Sequence, residues 1–180
     1  MVMAVWRSLF VRAVVVGAWL LSPGAWADFT GRVVKVDGGD TLTVLREVNG
    51  QKEQVQVRLS SIDAPETTQA YGTRSRQLLS DLAFDRVVRV QEHGKDRYGR
   101  TLGVIHVGEL NANREMVRQG LAWAYRQYLN DSALLRIESA ARRAGRGLWA
   151  DADPIAPWDH RRNEAAGRKA RKDTAGAAAD

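Results

Sequence analysis

Three stretches in the first half of the chain alternate apolar and polar residues with a period of two, and glycine or asparagine interrupts the chain between them. Val34 and Val36 flank Lys35, Leu42 and Val44 alternate with Thr41 and Thr43, and Val55, Val57 and Leu59 alternate with Gln54, Gln56 and Arg58. A segment of this kind buries one face and wets the other, which makes it a half-buried antiparallel strand. Asn49-Gly50 predicts a tight hairpin between the second and third strands, and Asp37-Gly38-Gly39 separates the first from the second with residues that tolerate positive φ. The alternation also sets Arg58 on the polar face, opposite Val57 and Leu59.

After Pro65 the period changes. Leu78, Leu79, Leu82 and Ala83 fall at helical spacing between about Tyr71 and Phe84, with Arg74, Arg76, Gln77 and Asp81 on the other face. Two more strands are predicted near Val87 to Gln91 and Thr101 to Val107. A second helix is predicted from Asn111, a candidate N-cap, to Gly120. A third starts from Asn130 or Asp131, buries Leu134, Ile137, Ala141 and Ala144, pairs Glu138 with Arg142, and stops at Gly145. Five short strands, a helix inserted between the third and fourth, and two further helices predict an α+β fold: a five-stranded Greek-key barrel of the oligonucleotide-binding (OB) kind with three helices.

A length of 180 residues suits one domain with extensions. Residues 1–27 read as an export signal: Arg7 and Arg12 precede the apolar run Ala13 to Leu21, and Ala25-Trp26-Ala27 offers small residues for cleavage. The run is short for a membrane span, so the mature chain is expected to be exported, periplasmic or secreted, without stable membrane association. The domain is placed at 28–157. Residues 158–180, charged and alanine-rich with few apolar anchors, are expected to be a flexible, disordered tail. No cysteine is present, which excludes disulfide staples and thiolate chemistry. Loss of Arg7 and Arg12 with the signal leaves 25 basic against 21 acidic residues, 25 − 21 = +4. That mild excess, mostly arginine, is compatible with a polyanionic partner.

Charged residues recur at three separated turns or strand ends: Asp40 in VDGGDT, Arg58, Asp63 and Glu66 in RLSSIDAPE, and Arg100 in DRYGR. Carboxylates hold a hard cation, and arginines clamp phosphate oxygens, so three acids and two guanidiniums are a minimal kit for metal-assisted attack of water on a phosphodiester. An OB barrel would bring such turns onto one rim.

VDGGDTLTV, RLSSIDAPE, DRYGR, NREMVRQGLA and the GLW after the last helix, in this order over about residues 30 to 150, resemble the staphylococcal nuclease (thermonuclease) family. The resemblance implies a Ca²⁺-dependent endonuclease that cuts single-stranded DNA and RNA with little sequence preference and leaves 3′-phosphates. It further implies Asp40, Asp63 and the carbonyl of Ala64 as Ca²⁺ ligands, Glu66 as general base, and Arg58 and Arg100 as grips on the transition-state phosphate. Arg97 would meet a terminal phosphate, and Tyr98 with Tyr125 or Tyr128 would pack against the nucleotide. For Tyr125 a core role is equally compatible, and Trp123 is assigned to the core. His93 and His106 lack zinc spacing and are read as structural. A monomer is expected.

Two departures bear on the ion. Gly38 stands where the family often has a second acid, unless Asp37 slides in, and the loop from Glu66 to Tyr71 is short. Two other function classes remain open: an inactive OB-fold nucleic-acid-binding module, and a calcium-stabilised extracellular domain. The second leaves Arg58 and Arg100 without a role.

Overall fold

The computed structural model describes residues 28–177, so the expected export signal and residues 178–180 lie outside the described residues. Five strands make the barrel: β1 (Phe29–Val36), β2 (Thr41–Val48), β3 (Gln51–Leu59), β5 (Val87–Lys95) and β6 (Thr101–Val107). The two-residue strands β4 (Ile62–Asp63) and β8 (Trp123–Ala124) form a separate ribbon, and β7 (Leu110–Asn111) extends the sheet beside β6. Helices α1 (Gly72–Ala83), α2 (Ala112–Arg118), α3 (Ala133–Arg143) and α4 (Pro157–Ala177) complete the fold, with 3₁₀ turns at Arg126–Tyr128 and Gly147–Ala150.

Antiparallel pairing runs β3-β2-β1-β5-β6, and a parallel seam of Val57 with Thr101, Arg58 with Leu102 and Leu59 with Gly103 joins β3 to β6 and closes the barrel. This is the strand order expected of an OB barrel. The hairpin falls where the sequence places it, because Val48 pairs with Gln51 across Asn49 and Gly50, whose φ of 52° and 77° give the mirror-image turn that matches strand twist. In β1 the period-two reading slips. A register shift between Val33 and Lys35 sends Val33 and Val36 into the core and leaves Val34 half-buried.

One apolar core fills the barrel and extends under α1, α2 and α3, with Leu42, Val44, Val57, Leu59, Leu79, Val90, Ile105, Met116 and Leu134 all within 1% of full burial. Asn111 caps α2 as expected, its side chain accepting from the Arg114 N–H. Asp131 lies one residue outside the N-cap of α3 and accepts from the Ala133 N–H at 3.0 Å. Ala144 is exposed and not part of the buried stripe. A second, smaller cluster of Trp123, Ala141, Leu148, Trp149 and Ala156 packs against Tyr71 and Trp158.

The disordered tail expected at 158–180 is corrected by the structure: residues 158–177 belong to α4, a fourth helix. Alanine and the long basic side chains are strong helix formers. Pairs at helical spacing, Asp159 with Arg162, Glu164 with His160 and Glu164 with Arg168, add local support. Trp158, half-buried against Trp123 and Tyr125, supplies the apolar anchor that composition had concealed.

Candidate active site

Asp40 sits at the end of a tight turn in which the N–H groups of Asp37 and Gly38 both donate to the Thr41 carbonyl. The turn lies hard against α1. A Cβ on Gly39 would collide with the Ser75 hydroxyl and lie 2.7 Å from the Ala64 Cβ, so only glycine permits this approach. On the other side, the Leu59 N–H donates to the Asp40 carbonyl at 2.8 Å and ties the turn to β3. Beyond β3 the chain reverses through Ser61, held at φ 64°, and β4 returns Asp63 beside Arg58. Pairing of Asp63 with Trp123 and Ile62 with Ala124 fixes that return.

Three of the sequence-derived residues therefore converge. One Arg58 guanidinium donates to Asp40 Oδ2 at 2.8 Å and to Asp63 Oδ1 at 2.7 Å, and also reaches the Ile62 carbonyl at 3.1 Å. Asp40 further accepts the Ala64 N–H at 2.8 Å and the Thr41 hydroxyl at 2.9 Å. Asp63 has only 1% of its side chain exposed. Burial pushes its carboxyl above the ordinary aspartate value, and Asp40 adds to that push, while Arg161 and Arg58 only partly oppose it. Glu66, two residues past the buried Ala64, keeps 41% of its side chain exposed on the open rim.

Arg100 is held differently. Its guanidinium is clamped by Asp96 Oδ2 at 2.7 Å, within its own turn and not by the acids around Arg58. Partial burial raises the Asp96 carboxyl, but the hydrogen bonds from the Arg100 side chain and from the N–H groups of Tyr98 and Arg100 prevail and hold it below the ordinary range. Arg100 immediately precedes β6, whose Leu102 pairs with Arg58 across the seam. The barrel closure thus brings the start of β6 alongside the end of β3, which carries Arg58.

Tyr98 and Tyr128 are exposed, at 69% and 60%. Arg97 lies over the Tyr98 ring at 4.9 Å. Tyr125 is half-buried, not a core residue; it tilts against Tyr128 and stacks on Trp158, ring centroids 5.3 Å apart. Trp123 is buried as expected. His93 Nδ1 lies 3.3 Å from the Ser60 hydroxyl, whereas the buried Nε2 of His106 has no hydrogen-bond partner. Asp37 turns its carboxylate to Lys35 and Thr43, so it does not take the place that Gly38 leaves.

A family model described as "Staphylococcal nuclease homologue" matches residues 56–151, a span that holds Arg58, Asp63, Glu66 and Arg100 on the elements just described. The chain belongs to the staphylococcal nuclease family. Within that family it is 50% identical to an uncharacterized endonuclease of Haemophilus influenzae over 135 residues, 75% of this chain and 74% of that protein. It is 46% identical to a micrococcal nuclease of Shigella flexneri, over 84% of this chain and 92% of that one. A probable staphylococcal-like nuclease of Oryza sativa is 37% identical over 66% of this chain but 31% of its own length.

The family span stops short of α4, and α4 supplies two side chains that sequence reasoning missed. Arg161 donates to Asp63 Oδ2 and to Glu66 Oε1, each at 2.7 Å. Partial burial disfavours its charge, but the bonds to Asp63 and Glu66 outweigh that and raise its pKa further above the ordinary arginine value. Trp158 covers one face of Tyr125. A third omission is Glu138 of α3, read only as the partner of Arg142. Its side chain is buried, accepts from the Ala124 N–H at 3.0 Å and pairs with Arg126 at 3.0 Å, so it anchors the β8 side of the ribbon that holds Asp63.

Proposed function

We propose that this protein is an exported, monomeric, Ca²⁺-dependent endonuclease that hydrolyses phosphodiester bonds of single-stranded DNA and RNA with little sequence preference, leaving 3′-phosphates. One observation carries the reading: carboxylates from two distant turns, Asp40 and Asp63, meet on a single guanidinium beside an open rim that presents Glu66. The donor set suits calcium. Both side chains offer hard oxygen, and their carboxylates lie close enough together to share one guanidinium. Among the described residues no group of three or more acid, histidine or cysteine side chains could hold a metal ion by itself. The Ala64 carbonyl, water and the substrate phosphate would fill the remaining positions.

Bound calcium would polarise the scissile phosphate and lower the pKa of the attacking water. Glu66, on the accessible edge, would take the proton from that water. Arg58 and Arg100 would hold the equatorial oxygens, where negative charge grows as phosphorus becomes five-coordinate, so their interactions strengthen at the transition state. Arg97 would steer a flanking phosphate, and the exposed Tyr98 and Tyr128, with Tyr125, would stack on bases of any identity, which suits cleavage without sequence preference. Among the described residues no helix is long and apolar enough to cross a membrane.

The test is cleavage of denatured DNA and of RNA by the chain from Asp28 onward, with calcium and then with excess chelator. Chelator-sensitive cleavage with 3′-phosphate ends is the expected result. Binding without cleavage would replace this reading with that of a nucleic-acid-binding module.

A further inference from the structure

The first turn of α4 occupies the ground that the proposed cation and nucleotide need. Arg161 bonds to both oxygens of Asp63, at 2.7 Å and 3.3 Å, and to Glu66. A guanidinium that engages both oxygens of one carboxylate uses lone pairs that a calcium ion would use. Trp158, one turn earlier, lies nearly parallel to Tyr125, 22° between planes, where a base would stack.

The start of the helix is anchored. The Ile155 carbonyl accepts from the Gln69 side chain at 2.6 Å, Ala156 and Pro157 are buried, and Trp158 to His160 are half-buried. From Arg161 to Asp173 every residue is exposed. The helix is therefore held at its N-terminal end, beside the site.

We propose that α4 is an autoinhibitory strap: Arg161 is a built-in competitor of the metal ion, and Trp158 of the nucleobase, so that binding of calcium releases the first turn of α4. The proposal rests on the calcium-site reading above. By linkage, whatever affinity the docked strap removes from the ion, the ion removes from the docked strap. Removing one positive charge from a cluster of three acids also strengthens the attraction for a dication.

Titration calorimetry with calcium chloride on the chain from Asp28 onward, wild type and Arg161→Gln, tests this directly. The expected result is a Kd at least about tenfold lower in Arg161→Gln, with Arg161→Lys between the two. Equal or weaker binding in Arg161→Gln, with heat in both proteins, would overturn the competition while leaving the calcium site intact. No heat in either protein would remove the calcium site and the strap together. Because the chain has no cysteine, nitroxide labels at Lys52→Cys and Lys169→Cys report the position of the helix without further changes. Their separation is expected to shift or broaden when calcium binds, and an unchanged distance in the calcium-loaded wild type would overturn release of α4.

Discussion

Gly39→Ala and Gly38→Ala add the same methyl group to adjacent residues, with opposite expected outcomes. At Gly38 a Cβ has nothing within 4 Å; at Gly39 it collides with the Ser75 hydroxyl and stands 2.7 Å from the Cβ atoms of Ser75 and Ala64. Ser75 cannot swing away: it is fully buried and its hydroxyl donates to the Leu121 carbonyl at 2.6 Å. Ala64 is equally confined, because its N–H holds Asp40. The turn must move, taking Asp40 with it. Forced overpacking of this kind destabilises by about 1–3 kcal/mol, which for a chain of this size lowers Tm by roughly 2–12 °C. Gly38→Ala should stay within about 0.5 kcal/mol of wild type. Thermal unfolding gives the first readout and calcium calorimetry the second, since a displaced Asp40 weakens ion binding. Ser75→Ala in the Gly39→Ala background should restore part of both losses, because it removes the hydroxyl contact but not the Cβ contact. If Gly39→Ala matched Gly38→Ala in both measurements, the close packing of this turn on α1 would not be what positions Asp40.

Arg58→Ala should lower kcat by orders of magnitude and also destabilise the calcium-free protein by about 3–5 kcal/mol, because it leaves two largely buried acids without their shared partner; urea unfolding should show that loss shrinking when calcium is added, and a calcium-independent loss would count against a shared ion at Asp40 and Asp63. Glu138→Ala should destabilise by about 1–3 kcal/mol by stranding the Ala124 N–H, and it should reduce cleavage through the β4–β8 ribbon although it touches no substrate; unchanged turnover would separate the ribbon from the placement of Asp63. Asp96 has a folded pKa below its unfolded value, held there against burial by Arg100 and two backbone N–H groups, so the unfolded chain binds the extra proton: the stability it contributes is present above the ordinary carboxylate range and is lost as pH falls through the depressed value. Asp96→Asn should therefore flatten the acid limb of a urea-midpoint profile, and a limb as steep as wild type would show that the Asp96 to Arg100 clamp contributes nothing to stability.

Alternation in Leu42-Val44 and Val55-Val57-Leu59, the Asn49-Gly50 turn, the Asn111 cap and the change of period after Pro65 are local signals, and each reappears as the element it predicts. They suffice for an α+β barrel because strand period, turn chemistry and helix caps are set within a few residues. Val34 departs from the alternation, since a register shift depends on the partner strand and leaves no trace in the residues that flank it, and Thr41 and Thr43, on the face expected to be wet, are buried. In the candidate site, the motifs supplied Asp40, Arg58, Asp63, Glu66 and Arg100, yet nothing in their spacing says that Arg58 bridges Asp40 and Asp63 while Arg100 answers to Asp96.

Residue types and short-range order determined the strands, the helices of the domain and the acids and arginines available for chemistry. Tertiary structure alone decided which of those charges meet. Asp40 reaches Arg58 because a β-hairpin pairs their strands, Asp63 reaches it because the chain reverses at Ser61, and Arg161 arrives from a position 98 residues away. Composition made the last segment look solvated because its signal averages over many polar residues; a few anchors at its start, Ala156, Pro157, Trp158 and Arg161 among them, meet the domain, and docking is a property of the surface they find.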